Sequence, residues 1–124
     1  MRNIELAEAL FDAFSSGDQG AARALVDQAL TAVQNYGPPM KLDELLAFSA
    51  AVNQVVKGFR YEDAIRTETE TGFIEEHRVC GELPDGNQLN LAACVVGTVE
   101  DGKIIALREY VDTGAAIGLL KALQ

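Results

Sequence analysis

The chain has 124 residues, of which 48% are hydrophobic and 23% are charged, and nineteen acidic residues against ten basic ones give a net charge of −9. This length suits a single domain, 1–124, with one core, and the negative charge excludes a nucleic-acid partner because it would repel a phosphate backbone. The longest apolar run, 89–99, is shorter than the roughly 20 residues that cross a bilayer, and the first residues lack the pattern of a secretory leader, so we expect a cytoplasmic protein that spans no membrane.

Three helices are predicted before any long strand. Apolar residues recur at intervals of three and four from Ile4 to Phe14, and again from Ala22 to Leu30 after Asp18 as N-cap. A short strand is predicted at 31–35, before a loop at 36–39 whose two prolines exclude regular structure. The third periodic run starts at Leu42 and is expected to end at a left-handed Gly58.

After residue 58 the period changes from about 3.6 to two, which is typical of half-buried strands, and we place strands at 59–69, 73–83, 88–100 and 103–112. Asp85-Gly86 and Asp101-Gly102 are hairpin dipeptides, so the last three strands should form an antiparallel meander. Thr113 is expected to cap a short last helix. Because long strands twist, the sequence predicts an α+β fold: a curved antiparallel sheet forming a cone, three N-terminal helices over it and a short C-terminal helix.

Alternation along the strands divides the side chains into two faces. One set combines carboxylates, guanidinium groups and a phenol, and we expect it to converge on a small-molecule pocket under the helices; its members are Glu76, Arg78, Arg108, Tyr110 and Asp112. The alternative for this set is a structural ion-pair network on a solvated face. His77 lies on the face opposite Glu76, either at a surface or interface or as a proton shuttle.

The other face of the last strand carries Ile105, Leu107, Glu109 and Val111. We expect its apolar members, Ile105, Leu107 and Val111, to point outward and bury a symmetric contact, which predicts a homodimer formed through the sheet. Cys80 and Cys94 have no short metal-binding spacing and one histidine cannot complete a zinc set, so no metal and no other cofactor are expected.

Four short motifs carry a resemblance to a known family: Leu-Pro-Asp-Gly at 83–86, Asn-Leu at 90–91, Gly-Lys-Ile at 102–104 and Arg-Glu-Tyr-Val-Asp at 108–112. With the order of helices, proline loop and strands, they resemble the SnoaL-like branch of the nuclear transport factor 2-like superfamily. The resemblance implies a cone-shaped fold. Members include polyketide cyclases, limonene-epoxide-hydrolase-like enzymes, ketosteroid isomerases and proteins that only bind or scaffold.

The resemblance also implies site residues. Asp112 matches the catalytic aspartate of cyclases and epoxide hydrolases, and Asn35 matches an asparagine that helps to hold a water. Val33 replaces a tyrosine of the hydrolases, while Glu76 and Arg78 occupy the positions of an arginine and an aspartate in reversed order. Catalysis is therefore predicted for Asp112, Glu76 and Arg78, and substrate contact for Val33, Asn35, Leu91, Ala93, Arg108 and Tyr110.

These expectations predict an enzyme that performs cofactor-free acid–base catalysis on a small, hydrophobic, oxygenated molecule, as a cyclase, isomerase or hydrolase. Two alternatives use the same fold without chemistry. In one, the pocket binds its ligand unchanged, as a carrier or sensor does. In the other, side chains fill the pocket and the domain serves as a dimerisation module.

Overall fold

A computed structural model describes residues 1–124 and shows four helices and six strands. Their order is α1 (Asn3–Ser16), α2 (Gln19–Leu25), β1 (Val26–Gln34), β2 (Met40–Lys41), α3 (Leu42–Val55), β3 (Lys57–Glu68), β4 (Gly72–Glu82), β5 (Gln88–Glu100), β6 (Lys103–Val111) and α4 (Ile117–Ala122). The strands form one open, curved sheet in the order β2-β1-β6-β5-β4-β3. The helices pack on the sheet, which confirms the predicted α+β fold.

The predicted meander is confirmed and extends over four strands, since β3, β4, β5 and β6 pair antiparallel in sequence. The β5–β6 hairpin turns at Asp101 and Gly102, whose φ angles are 50° and 75°, as a tight turn of this kind requires. Only β1 is parallel to its neighbour β6, and this pairing places β1 beside the last strand.

Three predicted boundaries were wrong. The second helix ends at Leu25, and the periodic residues after it lie in β1, because the parallel ladder with β6 takes up their backbone groups. Helix α3 ends at Val55, so Gly58 is left-handed but belongs to β3. Helix α4 begins after Ala116 without a side-chain cap, and Thr113 precedes it.

The core consists of two buried clusters on the inner face of the sheet. The larger includes Leu10, Phe73 and Ile104, all fully buried, and packs under α1. The smaller lies under α3 and α4 and includes Leu91 and Leu119. Gly97 makes room for the larger cluster, because a Cβ there would come within 2.3 Å of the Phe73 ring.

No helix combines the length and the apolarity that a membrane crossing requires.

Candidate functional site

An apolar cavity with two adjoining lobes lies between α3 and the inner face of the sheet. The lobe toward β1, of about 100 Å³, is lined by residues such as Ala32, Met40 and Leu107 and is open to solvent on one side; we call it the β1 lobe. The lobe toward α4, of about 110 Å³, is lined by residues such as Leu91, Ala116 and Leu119 and is likewise open to solvent; we call it the α4 lobe. Six residues line both lobes and form the waist between them: Gln34, Phe48, Val52, Phe59, Tyr61 and Glu109.

Glu109 is the only charged residue in the wall of either lobe. It lies on β6 opposite Val95 of β5, and the parallel register with β1 places Gln34 beside it. The Nε2 amide of Gln34 donates a hydrogen bond to Oε1 of Glu109 at 2.6 Å. One carboxylate oxygen is thereby held by the protein, which fixes the orientation of the group and leaves the other oxygen free to face a ligand.

Tyr61 supplies the second polar group of the waist. Burial raises the pKa of its phenol above the ordinary value of 10.0, and the negative charges of Glu109 and Glu75 oppose its ionisation further. No protein group forms a hydrogen bond with its hydroxyl. The phenol therefore stays protonated at neutral pH and has an O–H to donate to an oxygen atom in the cavity.

A polar triad of Glu75 and His77, both buried, and the partly exposed Arg66 lies beneath the waist without lining either lobe. Glu75 of β4 is fully buried; its Oε1 accepts a hydrogen bond from Nε of Arg66 at 2.5 Å, and its Oε2 lies 2.6 Å from Nδ1 of His77. The His77 ring packs against the rings of Phe11 and Tyr61, with centroids 4.8 and 4.5 Å away. The second ring nitrogen, Nε2, is buried without a hydrogen-bond partner.

Arg66 reaches Glu75 because β3 has a bulge. Tyr61 pairs with Val79 and faces the cavity, but the register shifts between Glu62 and Ile65, around the left-handed Asp63. Beyond the bulge the even-numbered Arg66 faces inward and pairs with Glu75. No group of three or more His, Cys, Asp or Glu side chains is arranged to hold a metal ion.

Comparison with known proteins shows the family of the chain. Residues 7–107, well over half of the chain, match the SnoaL-like domain. The chain belongs to the SnoaL-like domain family. No curated protein matches the sequence.

Solved structures resemble this SnoaL-like domain in fold. A candidate polyketide cyclase from Pseudomonas putida KT2440 is 22% identical, with a TM-score of 0.82 over 94% of this chain and 96% of that one. A candidate SnoaL-like polyketide cyclase from Jannaschia sp. CCS1 is 17% identical, with a TM-score of 0.82 over 98% and 90%. A protein of ketosteroid isomerase-like fold from Catenulispora acidiphila, in complex with trimethylamine, is 13% identical, with a TM-score of 0.75 over 86% and 84%.

In this SnoaL-like domain the inner face of the sheet carries the odd-numbered side chains of β4 and, from Leu107 onward, of β6, so the prediction that the even-numbered set faces inward was wrong. Arg108 and Tyr110 lie on the outer face, where they pair with Val96 and Cys94 of β5. Glu76 and Arg78 of β4 lie on the same outer face. Asp112 is exposed just beyond β6. Arg78 bonds the side chain of Asn90, and Tyr110 packs against Tyr36. The catalytic roles predicted for Asp112, Glu76 and Arg78 therefore lose their geometric basis.

The other predicted contact residues are divided. Leu91 lines the α4 lobe and Val33 lines the β1 lobe, whereas Ala93 is buried in the core on the same strand face as Leu91. Asn35 lines neither lobe. Its Oδ1 accepts from the Val111 backbone N–H and its Nδ2 donates to the Val111 carbonyl, both at 3.0 Å, so this side chain extends the β1–β6 ladder.

The residues expected to point outward are also corrected. Val111 and Leu107 line the cavity, and Ile105 is the extra residue of a bulge opposite Thr98 and Val99. The prediction missed Glu109, Gln34 and Tyr61 as site residues. A signal for the first was present, since Glu109 is a single carboxylate on a strand face that is otherwise apolar, which is typical of a functional group in an apolar pocket.

Proposed function

We propose that this SnoaL-like domain is a cofactor-free acid–base enzyme that moves a proton next to the carbonyl group of a small apolar molecule. The observation that carries the proposal is the polar waist of the cavity. A single carboxylate, held by Gln34, and a neutral phenol without a protein partner line the same apolar space. A base and a hydrogen-bond donor around one substrate position are the groups that enolisation requires.

In the proposed reaction Glu109 removes a proton from the carbon beside the carbonyl. The electrons of that C–H bond form a carbon–carbon double bond, and the carbonyl oxygen takes the negative charge, which the O–H of Tyr61 stabilises. Return of the proton to a different carbon completes an isomerisation. Attack of the same enolate carbon on a second carbonyl of the molecule, with a proton delivered to the new alkoxide, closes a ring.

The test follows exchange of the α-protons of diethyl ketone in deuterated water by NMR, since each of its ethyl arms is small enough to enter a lobe. We expect the protein to accelerate exchange, and Glu109→Gln to reduce the acceleration by about 10² to 10⁴, the usual contribution of a positioned base. Tyr61→Phe should reduce it by about 10² to 10³. Glu82→Gln, at an exposed carboxylate on the end of β4, is the matched control and should keep the wild-type rate.

Two outcomes would redirect the assignment. If Asp112→Asn abolished exchange and Glu109→Gln did not, the base would be the residue implied by the family resemblance. If the wild-type protein bound the ketone but did not accelerate exchange, the cavity would belong to a carrier or sensor. Thermal unfolding of each variant shows whether a lost rate comes from lost folding.

We also propose that the protein is a homodimer formed through the outer face of the sheet. No helix covers this face, and its central strand positions carry half-buried Ala106, Cys94 and Val96. Charges of both signs, Glu76 and Arg108, flank them, so two copies related by a two-fold axis can pair opposite charges. The thiols of Cys80 and Cys94 are unpaired, which suits a proposed cytoplasmic setting.

A further inference from the structure

The two lobes differ from the waist in chemistry, and this difference limits what the cavity can hold. The polar atoms of Glu109, Gln34 and Tyr61 lie at the waist. Each lobe adds one hydroxyl of its own, from Ser49 in the β1 lobe and from Thr113 in the α4 lobe, to an otherwise hydrophobic wall. A ligand that satisfies both regions has its oxygen in the middle and hydrocarbon on both sides.

The lobe volumes set the length of the hydrocarbon. An apolar cavity of about 150 Å³ accepts benzene, which has six carbon atoms. The lobes, at about 100 and 110 Å³, are two thirds of that size, so each has room for about four carbons. A fused system of several rings has more carbon than either lobe holds.

We infer that the substrate is a short internal ketone, or an equivalent oxygenated chain, with one apolar arm of about four carbons in each lobe. The inference rests on the proposed function, because that function places the carbonyl between Glu109 and Tyr61. Small side chains in the lobe walls then limit the length of each arm. Ala116, which is 8% exposed, lies at the start of α4 in the wall of the α4 lobe and limits one arm. Ala32 on β1 limits the other.

The first experiment compares two ketones of identical composition, dibutyl ketone and methyl heptyl ketone, by calorimetric titration of the wild-type protein. The dibutyl isomer places four carbons in each lobe. The heptyl arm of the other isomer exceeds its lobe by three carbons, which stay in water. We expect the dibutyl isomer to bind at least about tenfold more tightly. Equal affinities, tighter binding of methyl heptyl ketone or no binding of either overturns the inference.

The second experiment shortens one lobe. Ala116→Leu adds three carbon atoms to the wall of the α4 lobe and leaves room for about one, so we expect dibutyl ketone to bind about tenfold less tightly, while methyl butyl ketone keeps its wild-type affinity with the methyl arm in the shortened lobe. Equal weakening of both ketones, or of neither, contradicts the assignment of the α4 lobe to one arm.

Failure of this inference is separate from failure of the proposed function. Glu109→Gln removes the base but preserves the shape of the waist, so it should retain the preference for dibutyl ketone while losing proton exchange on diethyl ketone. Exchange on diethyl ketone without a preference between the isomers would leave the chemistry standing and exclude the two-arm substrate.

Discussion

Tyr61 and Glu109 meet at the waist of one cavity, and their surroundings give them different tasks. Glu109 lies beside the Gln34 amide, which orients the carboxylate as a base. Tyr61 is enclosed by the rings of Phe11, Phe59 and His77, at centroid distances of 5.2, 5.2 and 4.5 Å, so its ionised form would lose most of its hydration. Apolar enclosure therefore keeps Tyr61 a hydrogen-bond donor.

The raised pKa of Tyr61 predicts how stability depends on alkaline pH. Unfolded tyrosine titrates near pH 10, whereas the folded Tyr61 keeps its proton there, so above about pH 10 the native state binds one proton more than the unfolded state. The free energy of unfolding then falls as pH rises, by up to about 1.4 kcal/mol per pH unit from this residue, and is unaffected below pH 10.

Urea unfolding between pH 8 and pH 11 measures this loss. We expect Tyr61→Phe to flatten the alkaline part of the stability curve, because it removes the titrating group. Thr67→Val, at an exposed position of the same strand that carries no titrating group, is the control and should keep the wild-type slope. An unchanged slope in Tyr61→Phe would mean that other groups cause the alkaline loss.

At the scale of elements, the bulge in β3 turns Arg66 inward, where it pairs with the carboxylate buried under the cavity. Glu75 is fully buried and its strongest partner, Arg66, comes from beyond the bulge. A buried carboxylate that loses its partner costs about 3–5 kcal/mol. An exposed ion pair on the same strand, Arg60 with Glu62, has both side chains about half exposed and contributes about 0–1 kcal/mol.

We therefore expect Arg66→Met to lower the free energy of unfolding by about 3–5 kcal/mol and Arg60→Met to lower it by about 1 kcal/mol or less, measured by urea denaturation at neutral pH. The pair of variants compares the same substitution at a buried and an exposed partner. Equal losses would show that Glu75 does not depend on Arg66.

The same bulge explains why the sequence predicted the elements better than the site. Hydrophobic periods and the Asp-Gly turns located the helices and the meander. Strand parity divided the side chains of β4 correctly into two sets, and those of β6 beyond the bulge at Ile105, although Ile104 before the bulge lies on the inner face. Both faces of β4, however, carry charged or titratable groups. Glu75 and His77 lie on the inner face, where Arg66 supplies a partner for the Glu75 carboxylate. Arg66 points inward only because of a bulge that alternation alone does not reveal.

On the scale of the whole molecule, the sheet separates two proposed roles. Its inner face holds the cavity, and the polar groups there are few. Its outer face has no covering helix or strand and alternates apolar residues with charged ones. One of the apolar residues, Ile65, is 60% exposed. The arginines and carboxylates that the sequence predicted in the active site therefore lie where a second copy would meet them.

This separation predicts that the dimer can be broken without damage to the cavity. Val96 lies at the centre of the outer face, opposite Arg108 and half-buried, so Val96→Asp introduces a carboxylate that must be desolvated in the contact. Sedimentation at about 10 µM should change from dimer to monomer, while dibutyl ketone still binds. Gln54→Glu, an added charge on the exposed side of α3, is the control and should remain dimeric.

A wild-type protein that sediments as a monomer up to about 100 µM would contradict the dimer. If ketone binding were lost together with the dimer, the second copy would complete the cavity.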